Sequence, residues 1–169
     1  DIIGDIHGHA DELILLLQKL GYSQNSNSFE HPTRKVIFVG DFIDRGPKIR
    51  ETLHLVRAMV ESGSALAIIG NHEYNAICYH TPSSDENFLR EHSEKNIQQH
   101  IETLNAFINY TNEWDEFLEW FKRLPIFIEL DDLRIVHAYW SEKNIDYLKH
   151  FYPENKFTNE FLIKSADKY

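Results

Sequence analysis

Three short apolar runs punctuate the first part of the chain, and each ends in a glycine followed by side chains that can bind metal or move protons. Asp1-Ile2-Ile3 leads into Gly4-Asp5-Ile6-His7-Gly8, Val36-Ile37-Phe38-Val39 into Gly40-Asp41-Phe42-Ile43-Asp44-Arg45-Gly46-Pro47, and Ala65 to Ile69 into Gly70-Asn71-His72-Glu73. Apolar β-branched runs read as buried strands, and the glycine that closes each reads as a tight exit into a loop. Between them, "HADELILLLQKLG" and "GPKIRETLHLVRAMVESG" carry apolar positions at helical spacing. They close on Gly21 and Gly63, and Pro47 stands near the start of the second. The order strand, helix, strand, helix, strand predicts a mostly parallel sheet with right-handed crossovers. Its carboxyl edge would gather all three polar clusters in one crevice.

"SQNSNSFEHP", residues 23–32, is a polar, turn-rich connection or surface hairpin ahead of the second of these strands. Beyond Tyr79 the pattern dissolves, then returns as "SEKNIQQHIETLNAFINY" and "NEWDEFLEWFKRL", which stop before Pro125. Residues 80–124 therefore read as a helical insertion on the core. Its stripe of Trp114, Phe117, Leu118, Trp120 and Phe121 is assigned to the core, and His92 and His100 to its surface, unless the insertion folds over the cleft and turns them into it. "IFIEL", the turn Asp131-Asp132 and "LRIVHAYW" predict a closing hairpin.

With 169 residues, 42% of them hydrophobic, the chain can bury one substantial core, so residues 1–169 are expected to form one domain. No apolar run approaches a membrane span. A net charge of −10 argues against binding a nucleic-acid backbone. Cys78 is the single cysteine, which rules out a disulfide within the chain and fits a reducing cytoplasm. Asp5, His7, Asp41, Asn71 and His137 together offer oxygen donors and imidazoles without a thiolate, a set suited to Mn²⁺, Fe, Zn²⁺ or Mg²⁺. Asp5 and His7 are two apart and would point the same way from an extended chain. Asp41, leaving the central strand, could reach both sides of the cleft as a bridging ligand.

"GDIHG", "GDFIDRG" and "GNHE", in this order with helical spacers, resemble the signature of the calcineurin-like metallophosphoesterases, specifically their phosphoprotein-phosphatase branch. The resemblance is close over residues 1–73 and looser over 126–140. It implies an α/β fold in which a mixed sheet or β-sandwich is flanked by helices. It also implies two divalent ions, Mn²⁺ foremost: Asp5 and His7 on the first, Asp41 bridging, Asn71 and His137 on the second. Arg45 would clamp phosphate, His72 would protonate the leaving oxygen, Asp44 would orient His72, and Gly46 would make the turn. Glu73, apart from that resemblance, reads as a structural residue that holds the loop rather than touching metal. The implied reaction is hydrolysis of phosphate esters or nucleotide polyphosphates by in-line attack of a hydroxide bridging the ions.

The chain departs from that pattern twice. "HAYW" follows His137 where the protein phosphatases carry a glycine pair, which favours a small phosphorylated substrate, nucleotides included, and bacterial relatives such as diadenosine-tetraphosphate hydrolases. The family's later metal histidine and second phosphate arginine are also absent; after His137 only His150 remains, and the chain closes on "FLIKSADKY". The expectation is a domain that lacks its C-terminal part. The alternative is a degenerate member that binds metal or phosphate without turnover.

Overall fold

The computed structural model describes residues 1–83 and 87–166; residues 84–86 of the insertion and 167–169 of the closing stretch lie outside it. Strand β1 (Ile2–Ile3) is followed by helix α1 (Ala10–Lys19), the hairpin strands β2 (Ser23–Asn25) and β3 (Ser28–Glu30), and strand β4 (Val36–Phe38). Helix α2 (Ile49–Glu61), strand β5 (Ala65–Ala67) and helix α3 (Asn71–His80) come next. The insertion supplies α4 (Glu94–Phe107) and α5 (Thr111–Arg123), and the chain continues through β6 (Phe127–Glu129), β7 (Arg134–Val136), α6 (Glu142–Phe151) and α7 (Asn159–Ala166).

β1, β4 and β5 form a parallel sheet in the order β1-β4-β5, with Ile37 paired to Ile2 on one side and Leu66 on the other. β4 is thus the central strand, as its all-apolar sequence implies for a strand buried on both faces. Its alternation assigns the two faces. Val36 and Phe38 enter the main core with Leu17, Leu53, Met59 and the insertion's Phe117 and Phe121, while Ile37 packs with Ile68 and Ile135 under the antiparallel β6–β7 hairpin. Helices cover one face and the hairpin the other.

The insertion is fastened by its apolar stripe. Trp114, Phe117, Leu118, Trp120 and Phe121 are all buried, as their spacing on α5 predicts. One element departs from expectation. The polar motif after β5 is itself the start of α3, a helix through His80, where the sequence suggested only a loop exit. The consequence is that Asn71 and His72 sit in a helical first turn, and the His72 backbone N–H, without a partner inside the helix, donates to Asp41 Oδ1 at 3.0 Å.

Candidate active site

The three strand exits converge on Asp41. His7 Nε2 and His72 Nε2 lie 3.8 and 3.9 Å from Asp41 Oδ2, and His137 Nε2 lies 3.5 Å from the same oxygen. Asp5 Oδ2 is 3.8 Å from His7 Nε2. Two ligand groups of the kind that holds a metal ion result, His7 with Asp41 and His72, and Asp5 with Asp41 and His137. The close approach is made by a backbone that is not extended. His7, Asp41, Asp44 and Arg45 have φ of 46°, 56°, 68° and 65°, a left-handed region that residues other than glycine occupy sparingly. Asp5 and His7 do meet, 3.8 Å apart, but the extended chain expected to bring them together is corrected: a turn at His7 aims its ring.

The φ values also relocate the role of the glycines. The turn after Ile43 is made by Asp44 and Arg45, not by Gly46. A Cβ on Gly46 would stand 2.3 Å from the His7 carbonyl oxygen, and one on Gly70 would stand 2.2 Å from Asp41 Oδ1. These glycines let the loops close on one another.

The partner of each Nδ1 sorts the three histidines. His7 Nδ1 bonds the Ile43 carbonyl at 2.8 Å and His137 Nδ1 the Val39 carbonyl at 2.6 Å. A carbonyl only accepts, so both Nδ1 atoms carry hydrogen, and in the neutral ring each Nε2 presents a lone pair. His7 Nε2 is buried without a hydrogen-bond partner, and His137 Nε2 faces Asn71 Oδ1 at 2.9 Å. Lone pairs and carboxylate oxygens turned toward one another, with the far ring nitrogens anchored on carbonyls, are the donor set a divalent cation needs. His72 differs: its Nδ1 meets a carboxylate, Asp44 Oδ2, at 2.5 Å. That bond, opposed by burial and aided by Asp41, raises the His72 pKa and favours a proton on Nε2.

Asp44 is itself gripped from the insertion. Thr103 Oγ1 donates to Asp44 Oδ1 at 2.6 Å and His100 Nδ1 does so at 2.8 Å. Burial would push the Asp44 carboxyl up, but hydrogen bonds from His100, His72 and Thr103 hold it well below the usual carboxylate range. His100 is buried, not on the surface as its sequence context suggested, because Asp44 draws it inward. His92 instead stacks on Tyr79, with ring centroids 3.8 Å apart. His9 is exposed beside Glu12 at 3.7 Å, and exposed His150 packs edge-on against Phe151; neither belongs to a ligand group among the described residues. Arg45 is exposed and lines a cavity of about 490 Å³ together with Asp44, Asn71 and His72.

Over residues 1–166 the chain matches the calcineurin-like phosphoesterase family. It belongs to that family. The asymmetrical bis(5'-nucleosyl)-tetraphosphatase PrpE of Halalkalibacterium halodurans is 33% identical to it over 154 residues, covering 86% of this chain and 58% of that protein. The PrpE of Oceanobacillus iheyensis is 30% identical over 140 residues, covering 82% and 54%. This chain thus spans a little over half the length of these curated relatives. A cold-active protein-tyrosine phosphatase of a psychrophilic Shewanella species shares the fold with a TM-score of 0.57 at 20% identity, covering 86% of this chain and 43% of that one. The mixed α/β architecture expected of a calcineurin-like phosphoesterase is the one observed.

Glu73 holds the loop and, among the described residues, belongs to none of the candidate ligand groups. Fully buried, its Oε2 accepts from the backbone N–H groups of Asp41 and Gly70 at 2.8 and 3.0 Å, and its Oε1 from that of Phe42 at 2.7 Å. Burial and the Asp41 carboxylate push its carboxyl up to about 7, against the N–H groups that favour the anion. Glu73→Gln would place an amide NH₂ against N–H donors and is expected to destabilise the protein by roughly 2–5 kcal/mol, read by urea unfolding. A loss below about 1 kcal/mol would refute the clamp. The pH signature has a definite sign. A carboxyl whose folded pKa lies above its unfolded value stabilises most below pH 4.5 and loses that contribution as pH rises toward about 7. In metal-free protein the glutamine variant should lack that component.

Proposed function

We propose that this chain is a metal-dependent phosphatase that hydrolyses small phosphate esters or nucleoside polyphosphates, as the names of its PrpE relatives suggest. The observation that carries the reading is the meeting of His7, His72 and His137 on one oxygen of Asp41, with carbonyls fixing two of the rings and a carboxylate the third. Asp5, His7 and Asp41 would hold one divalent ion and Asp41, Asn71 and His137 a second, with Mn²⁺ the first choice. Such a pair, when bound, lowers the pKa of water and neutralises phosphate charge.

The protein's own side chains do the rest. Arg45 presents a planar fork to the equatorial phosphate oxygens. His72, kept protonated by Asp44, donates from Nε2 to the leaving oxygen, and Asp44 is kept in place by His100 and Thr103. Residues 1–169 act as one domain, and the insertion, residues 80–124, is part of the catalytic apparatus. No helix of the structure is long and apolar enough to cross a membrane; we place the protein in a reducing cytoplasm on the strength of its single, buried cysteine.

The test is turnover of diadenosine tetraphosphate and nitrophenyl phosphate by this chain with Mn²⁺, beside equilibrium dialysis of the metal. Hydrolysis that rises with Mn²⁺ supports the reading. Bound Mn²⁺ without turnover of either substrate would overturn it in favour of a binding module. Since the first set offers two carboxylates, Asp5 and Asp41, beside His7, whereas the second has the neutral amide Asn71 in place of a carboxylate, Mn²⁺ should bind in two steps of unequal affinity. Anomalous diffraction from Mn²⁺-soaked crystals should then give unequal peaks; two equal peaks would mean a further ligand.

A further inference from the structure

If His72 protonates the leaving oxygen from Nε2, which lies 3.9 Å from Asp41 Oδ2, the leaving group sits on the side of the cluster that His72 borders. That side is not bulk solvent. It opens into the cavity of about 490 Å³ between α3 and α4, whose lining runs from Arg45 and His72 outward to Asn75, Gln99 and Arg90. Arg90 lies in the connection that follows α3 and enters none of the roles above.

Its placement is specific. Asn75 stands four residues after Asn71 and three after His72 on α3, so it stacks over them one turn further along, about 5.4 Å from the reacting end. Arg90 Nη1 donates to Asn75 Oδ1 at 2.7 Å and Nη2 donates to Gln99 Oε1 on α4 at 2.8 Å, while its backbone N–H donates to the Cys78 carbonyl at 3.1 Å. The guanidinium thus bridges the two walls of the cavity. Among the described residues both side-chain partners are neutral amide oxygens, which fix the fork without cancelling its charge, and these bonds use two of its five N–H donors. The cavity's carboxylates among the described residues are Asp44, already engaged by His72, His100 and Thr103, and exposed Glu102.

A nitrophenolate or a serine hydroxyl leaving that site carries no phosphate and needs no second cation. A nucleoside phosphate leaving group carries one or more, spaced along its chain from the reacting phosphorus. We propose that Arg90, fixed by Asn75 and Gln99, binds the non-reacting phosphates of a nucleoside polyphosphate and so seats the departing nucleotide in the α3–α4 cavity. This rests on the phosphatase reading above and names the substrate class that the site selects.

The test is binding, measured by titration calorimetry on the whole chain with Mn²⁺, using β,γ-methylene-ATP as the nucleotide probe and inorganic phosphate as the probe for the reacting position alone. The unaltered protein should prefer the nucleotide probe. Arg90→Gln should weaken that probe by about 10- to 100-fold and shift inorganic phosphate by no more than about twofold. Arg90→Lys, which keeps the charge and loses the fork, should fall between. Retained phosphate binding certifies that the variant is folded. Equal weakening of both probes, no weakening of the nucleotide, or no preference in the unaltered protein overturns the proposal. The two readings fail separately. Selective weakening in a chain that hydrolyses neither substrate removes the phosphatase and keeps the nucleotide site, and diadenosine tetraphosphate hydrolysis with intact nucleotide affinity in Arg90→Gln does the reverse.

Discussion

His72→Ala is expected to lower turnover of diadenosine tetraphosphate by roughly 10²- to 10⁴-fold while leaving bound Mn²⁺ unchanged. The reason is the asymmetry among the three histidines that crowd Asp41. His7 and His137 rest their Nδ1 hydrogens on carbonyls and offer lone pairs to the cluster. His72 rests on a carboxylate and has its pKa raised by it, which suits a proton donor and not a ligand. The same atoms admit a rival assignment, because His72 falls with His7 and Asp41 in one group of ligand-capable atoms within 4.8 Å. Metal content separates the two. Loss of an ion equivalent in the alanine variant, measured by elemental analysis, would make His72 a ligand. Nitrophenyl phosphate supplies a second discriminator: its leaving group needs little protonation, so the loss on that substrate should be clearly smaller.

Asp44→Asn should cost nearly as much, roughly 10²- to 10⁴-fold in kcat, with the fold retained. Asparagine suits the left-handed φ of 68° at this position and matches the aspartate in size, so the loop has little cause to move. What changes is proton bookkeeping. Asp44 accepts from His72 on one oxygen and from His100 and Thr103 on the other. An amide cannot accept on both sides, and whichever way it turns, one set of donors meets another donor. If its NH₂ faces His72, Nδ1 must become the acceptor, which leaves a neutral imidazole whose Nε2–H is a far weaker acid than the imidazolium that the carboxylate stabilised. Because the two residues act as one unit, the double variant His72→Ala with Asp44→Asn should be little worse than the poorer single variant. Losses that multiply would show Asp44 working by a route that bypasses His72.

The strands, their parallel order and the residues around Asp41 were legible because each signal is local: an apolar run, a glycine, and a polar side chain at a fixed offset. α3 was not, since "NHEYNAICYH" buries Glu73, Ala76, Ile77, Cys78 and Tyr79, more than one helical face, and leaves no amphipathic stripe to read. His100 and Thr103 left a fainter trace. They share a face of α4 with Phe107, at spacings of three and four, so two polar residues stand in what should be an apolar row. That pattern marks a buried polar group awaiting a partner, but nothing in the sequence names Asp44 as the partner. Arg90 sits in a stretch without periodicity, and its meaning comes wholly from the two helices it joins. The left-handed φ values at His7, Asp41, Asp44 and Arg45 were likewise invisible, because side-chain identity there is set by chemistry against backbone preference.

The grip of α4 on Asp44 ties the seating of that carboxylate to the docking of one helix. A fluctuation that lifts α4 while the parallel sheet stays intact removes two of the three side chains that donate to that carboxylate. Such partial openings lie at lower free energy than global unfolding. Molecules that keep the sheet while Asp44 is unseated are the expected result, and hydrogen exchange on the α4 amides faster than on β4 would count them.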